Sequence, residues 1–79
     1  MNVIQYKGFE IHASPYLLTD SGEWKVGLHI LRHRENESRS RNFSASNSYK
    51  TREEAIAHCF QFGKQIIDGQ AGSYTVADL

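Results

Sequence analysis

The chain has 79 residues, of which 39% are hydrophobic and 23% are charged, and its nine Lys and Arg residues balance nine Asp and Glu residues. This length predicts a single domain (1–79), and the composition is too apolar for a disordered chain. A net charge of zero lacks the positive field of a dedicated nucleic-acid binder. One Cys residue excludes an internal disulfide, and no apolar run approaches the roughly 20 residues of a membrane helix, so we expect a cytoplasmic protein.

The first predicted strand (3–13) has alternating apolar residues that change phase at Lys7–Gly8. Such a change marks either a β-bulge in one long strand or a two-residue turn between two strands. Because Lys-Gly is a weaker turn sequence than Asn-Gly, the bulge is slightly favoured. Ser14 and Pro15 then end regular pairing, since proline has no backbone N–H to donate.

The second and third predicted strands (23–33 and 39–46) are joined by a polar loop at residues 34–38. In the third strand, small Ser and Asn residues alternate with other types, so Phe43 and Ala45 should face the core and the serines the open side. The second strand alternates in the same way, and its apolar residues share one face: Trp24, Val26, Leu28 and Ile30.

A helix is predicted over residues 52–68, with Thr51 as its N-cap and Gly69 as its left-handed end. Glu54, three residues after Thr51, completes a capping box. Gly63 lies on the apolar stripe, where a missing side chain lets the helix approach the sheet. The stripe is centred on Ile56, Phe60, Gly63 and Ile67 and is flanked by Cys59, Ile66, Ala55 and Phe62. We expect one core from Trp24, Val26, Leu28, Ile30, Phe43, Ile56, Phe60, Ile66 and Ile67.

These elements predict an α+β fold, in which a three-stranded antiparallel meander is covered on one face by one long amphipathic helix. A short tail (70–79) follows and is available to add an edge strand or to pair with another chain. With one sheet face uncovered, the chain is a candidate homodimer, either through packed sheets or through Tyr74, Thr75 and Val76 of the tail.

No set of residues has the spacing of a metal site or a catalytic centre. His29 and His33 lie roughly 13 Å apart along a strand, too far to share a zinc ion. Cys59 falls on the apolar side of the helix, where a thiol is usually a small buried hydrophobe. We therefore expect no cofactor and no enzymatic activity.

The uncovered sheet face and the basic middle of the chain are the candidate binding regions. Six residues form the candidate interaction surface: Lys25, His29, Leu31, Arg39, Arg41 and Ser44. A protein partner is the favoured interpretation, and nucleic acid is the alternative, because six cations cluster in the middle third of the chain: Arg32, Arg34, Arg39, Arg41, Lys50 and Arg52. Glu35 and Glu37 in the same loop favour a solvated charged hairpin.

Several motifs resemble a group of small uncharacterised bacterial proteins, mainly proteobacterial. They lie at Lys7-Gly8-Phe9, Trp24, Phe43, Thr51–Ala55 and, most specifically, His58–Gly69. This family has no established activity. The order of tryptophan strand, phenylalanine and helix start is also similar to the sheet-plus-helix DNA-binding domains of plant ethylene-response factors and phage integrase arms. We interpret the chain as a non-enzymatic binding domain, with DNA binding through the sheet and the Arg32–Arg41 hairpin as the alternative.

Overall fold

A computed structural model gives the fold of the chain over residues 2–77 and 79. The predicted domain (1–79) and tail (70–79) therefore include positions 1 and 78, which lie outside the described residues. Within the described part, five strands precede one helix: β1 (Val3–Tyr6), β2 (Phe9–Ala13), β3 (Tyr16–Leu17), β4 (Trp24–Arg34), β5 (Glu37–Tyr49) and α1 (Arg52–Ile67). No helix in this part is long and apolar enough to cross a membrane.

The strands form one antiparallel sheet in which β4 is central. β5 pairs along one edge of β4, while β2 and β3 share the other edge, and β1 pairs with β2. Ala13 lies opposite Leu28 and Tyr16 opposite Lys25, so β2 and β3 keep one register across a break at Ser14–Pro15. The α+β class with an antiparallel sheet and one C-terminal helix is confirmed. The expected number of three strands is wrong, because the first predicted strand divides.

That division occurs at Lys7–Gly8, which forms a turn and not the favoured bulge. Tyr6 pairs directly with Phe9, and the two residues between them have positive φ angles of 49° and 85°. Positive φ at both central positions is the geometry of a type I′ hairpin turn. The Lys7 ammonium group also makes a tertiary contact, since it donates to Asp68 at 2.6 Å. Tyr6 also donates to Asp68, at 2.7 Å.

The helix begins after the predicted N-cap, Thr51, and ends at Ile67, one residue before the predicted end. The Thr51 side chain accepts a hydrogen bond from the backbone N–H of Glu54 at 3.1 Å, and its hydroxyl donates to the Glu54 carboxylate at 3.1 Å. Gly69 has a φ of 75° just beyond the last helical turn. The first-turn acids Glu53 and Glu54 also suit the positive end of the helix dipole.

The buried side of α1 is rotated from the predicted stripe. Its buried residues are Ala55, Cys59, Gly63 and Ile66, whereas Ile56, Phe60 and Ile67 are only half-buried. Small residues face the sheet because the helix lies very close to it. A Cβ on Gly63 would come within 2.8 Å of Ile11 Cγ2, which confirms the predicted role of this glycine. The stripe was misplaced because it was centred on the largest side chains.

The core between sheet and helix contains more of the first hairpin than expected. Trp24 is half-buried and does not belong to it, whereas Leu79 does. The buried cluster is Phe9, Ile11, Val26, Leu28, Ile30, Phe43, Cys59, Ile66 and Leu79. The C-terminal segment lies against its own chain: the Tyr74 ring contacts Phe43 and Phe62, with centroid distances of 6.0 and 5.2 Å.

An irregularity in β5 widens the space beneath the helix. Gly27 pairs with Ser44 and Lys25 with Ser48, so Val26 faces three residues of β5, numbers 45–47. Such a bulge bends its strand and re-aims neighbouring side chains. β5 is therefore longer (Glu37–Tyr49) than the predicted third strand (39–46).

Candidate nucleic-acid interface

The distal half of the β4–β5 hairpin carries four arginines on one face, which we call the arginine face: Arg32, Arg34, Arg39 and Arg41. Arg32 pairs directly with Arg39 across the two strands, and Arg34 pairs with Glu37. A turn of two residues, Glu35 and Asn36, sets this register. Opposed like charges destabilise a strand pair, so this arrangement is costly unless an anion joins it.

Contacts to the core place the arginine face on the same side of the sheet as α1. The Arg32 guanidinium lies 5.4 Å from the centroid of the buried Phe9 ring, and that of Arg41 lies 5.9 Å from the Phe43 ring. Glu37 supplies one carboxylate, which accepts from Arg39 at 3.2 Å, and both side chains are 54% exposed. A surface pair this exposed contributes little to stability.

Two of these arginines converge on a single oxygen. Arg34 Nη2 donates to the backbone oxygen of Leu79 at 2.8 Å, and Arg32 Nη1 donates to the same atom at 3.4 Å. Two guanidinium groups that share one oxygen acceptor reproduce the way arginines hold a phosphate. The C-terminal segment therefore supplies a shared acceptor for these two arginines.

The opposite, open face of the sheet is polar, and its side chains bond to one another. Glu10 binds His12 through one carboxylate oxygen at 2.8 Å and His33 through the other at 3.0 Å. His29 is hydrogen-bonded to Asn42 on the neighbouring strand. The hydrogen bond with His12 is the main cause that lowers the pKa of Glu10, and His33 adds to it. Its histidines therefore have hydrogen-bond partners on the same face.

The six residues of the predicted interaction surface do not lie together. Arg39 and Arg41 lie on the helix side, on the same face as Phe43. The other four lie on the open face: Lys25, His29, Leu31 and Ser44. Residues 39, 41 and 43 alternate along β5 and therefore point to the same face of the sheet. This alternation alone could have placed Arg39 and Arg41 with Phe43 and apart from the open-face residues.

Other predicted features lie away from the arginine face. Lys50 and Arg52 follow the far end of β5, next to the pairing of Tyr49 with Trp24. Cys59 is fully buried as predicted, and burial raises the pKa of its thiol. Within residues 2–77 and 79, no three His, Cys, Asp or Glu side chains come together as metal ligands.

Comparison with known families matches residues 1–74 to the model described as "Transcriptional activator HlyU". The match spans nearly the whole chain, and the chain belongs to this family. Neither a curated protein nor a solved structure matches the chain significantly. The description names a regulator of transcription and not an enzyme, and it replaces the expected family without a described role. It favours the nucleic-acid alternative over our main interpretation of an unspecified binding domain.

Proposed function

We propose that the protein is a DNA-binding regulator of transcription and that it contacts DNA through the arginine face. The observation that carries this proposal is the direct opposition of Arg32 and Arg39, with Arg34 and Arg41 on the same face. Arg32 and Arg39 repel each other across the strand pair, and a polyanion bound to both would offset that repulsion. The family description supports the same type of partner.

The shape of the hairpin suits a groove of duplex DNA. Pairing with β2 ends at Leu31, and the hairpin continues as a two-stranded ribbon through Arg34 and Glu37. The major groove of B-DNA admits a two-stranded ribbon, and arginine is the commonest side chain that reads guanine there. Arginines that point at the groove walls would instead bind phosphates.

A neutral chain with one cationic face should bind with modest affinity and strong salt dependence. Contacts from all four arginines predict a slope of about −3.6 in a plot of log affinity against log salt concentration. Since binding is local and not driven by net charge, removing distant cations should matter much less than removing those on the face.

We propose that the protein acts in the cytoplasm, without a cofactor and without catalysis. A homodimer with two-fold symmetry would read an inverted repeat, because operator symmetry follows protein symmetry. The open-face residues Lys25, His29, Leu31 and Ser44 are then available to a protein partner.

Fluorescence anisotropy with a labelled mixed-sequence duplex tests the DNA contact. The variant Arg32→Ala/Arg39→Ala should weaken binding roughly ten-fold or more, since each charged hydrogen bond contributes about 1.5–3 kcal/mol. Lys25→Ala/Arg52→Ala removes the same two positive charges from outside the face and serves as the matched control. Equal losses for the two variants would show that only net charge matters and would contradict the proposal.

A further inference from the structure

A groove between α1 and the bulged part of β5 is a second candidate site, on the side of the helix away from the first hairpin. It encloses about 420 Å³, within the range of about 300–1,000 Å³ that small-molecule sites occupy. One stripe of α1 forms its first wall: His58, Gln61, Phe62 and Gln65. The second wall belongs to the sheet: Val26, Ala45, Asn47 and Tyr49.

The groove exists because of the irregular strand. Residues 45–47 of β5 face the single residue Val26, so β5 bows away from regular pairing at this point. Ala45 and Asn47 belong to this bowed segment, and both line the groove. The floor is apolar, with Val26 buried and Phe62 half-buried.

Among the described residues, the groove is lined by aromatic rings and by side-chain amides. It is lined by no Lys, Arg, Asp or Glu. The Tyr49 and His58 rings stack in parallel, with centroids 4.0 Å apart and an angle of 4° between the ring planes. Within residues 2–77 and 79, the side-chain amides of Asn47, Gln61 and Gln65 make no hydrogen bond to the protein. Each amide offers both a donor and an acceptor.

We propose that this groove binds a small, uncharged, planar ring whose edge carries a hydrogen-bond donor beside an acceptor. Such an edge pairs with a carboxamide through two hydrogen bonds. The ligand ring would pack on the apolar and aromatic surface of the groove. A charged ligand would lose hydration without meeting an opposite charge, so neutral ligands are selected. Aromatic carboxamides and nucleobases share this chemistry. The inference does not depend on the arginine face.

The test is a titration of the ¹⁵N-labelled full chain, followed by its backbone amide signals. Benzamide and adenine are the neutral ligands, while benzoate and benzamidine are charged relatives of benzamide with a similar shape. We expect saturable shifts confined to residues 45–49 and 58–65 for the neutral compounds. Tighter binding of adenine would assign the site to nucleobases, and tighter binding of benzamide to aromatic amides. Charged relatives should bind at least about five-fold more weakly.

Two substitutions separate this site from non-specific contact. Asn47→Leu and Gln61→Leu replace exposed amides, so the fold should persist, and each should weaken binding about 3–10-fold through the lost hydrogen bonds. Gln70→Leu removes an exposed amide outside the groove and should leave binding unchanged. Shifts scattered over the surface, equal affinity for all four compounds, or no saturation up to the solubility limit would each overturn the proposal.

Discussion

The two faces of the sheet hold their polar side chains in different ways. On the open face, Glu10 binds His12 and His33, so the polar groups are partners of one another. On the arginine face, Arg32 opposes Arg39, and Glu37 pairs with an arginine there in a solvent-exposed contact. On one face a carboxylate joins two histidines, while on the other two cations lie opposite each other.

The distribution of charge over the two faces is more informative than the net charge. The chain has a net charge of zero, which by itself argues against nucleic acid. Yet two neighbouring strands bring four guanidinium groups to one surface. A local concentration of cations is sufficient to attract a polyanion, because screening in salt limits each charge to about 8–10 Å.

Substitutions on the two sides of β4 should differ most in their cost to the free energy of unfolding. Leu28→Ala should lower the free energy of unfolding by about 2–5 kcal/mol, because Leu28 is 1% exposed and its loss leaves a cavity. Leu31→Ala, on the open face of the same strand, should cost about 1 kcal/mol or less. Urea denaturation measures both values. Equal costs would mean that the two faces have been assigned wrongly.

Gly63→Ala tests the close approach of the helix to the core beneath the sheet. Alanine improves helix propensity by about 1 kcal/mol, but its Cβ would contact Ile11 and Leu28 at 2.8–3.1 Å. Because both neighbours are buried, we expect a net loss of about 1–3 kcal/mol from overpacking. Gln61→Ala, two residues earlier on the exposed side of the helix, is the control. A more stable Gly63→Ala variant would show that the Ile11 and Leu28 side chains can move to make room for the added Cβ.

Removing one polar partner from each face should have opposite consequences for stability. Glu10→Ala should lower the melting temperature, since His12 and His33 both lose their acceptor. Arg39→Ala should leave it unchanged or raise it, because the opposed Arg32 is relieved. Thermal unfolding at neutral pH and low salt measures both. A clear loss of stability in Arg39→Ala would contradict the charge frustration of the arginine face.

The smallest effect is the pH dependence that Glu10 gives the open face. Its pKa is lower in the folded chain, mainly because of the hydrogen bond with His12. The resulting stability is present above the unfolded pKa of about 4.3 and is lost as pH falls through the folded value. Glu10→Gln should therefore flatten the melting temperature between about pH 5 and pH 3. An unchanged slope in that variant would mean that the lowered pKa contributes nothing.

Local signals predicted the helix ends and the main strand, while tertiary contacts decided the rest. Thr51 and Gly69 act within a few residues of themselves, so their roles could be inferred from sequence. Lys7 in the Lys7–Gly8 turn contacts Asp68, which is distant in sequence. Nothing in the local pattern near Lys7 reveals that partner.

The candidate interface was missed for a similar reason. Treating residues 34–38 as a loop hid the two-residue turn at Glu35 and Asn36, and this turn is what pairs Arg32 with Arg39. The role of Leu79 depends on the folded path of the C-terminal segment. A sequence shows which residues alternate, but the register between strands shows which charges meet.

Arginine side-chain signals in an NMR titration with duplex DNA test the central claim most directly. The Nε–H groups of Arg32, Arg34 and Arg39 should shift strongly, while the side-chain amide of Asn42 and the ring signals of His29 should stay in place. Both sets lie on the same two strands, so only the face of the sheet distinguishes them. Shifts concentrated on Asn42 and His29, with the arginine signals unmoved, would contradict the account.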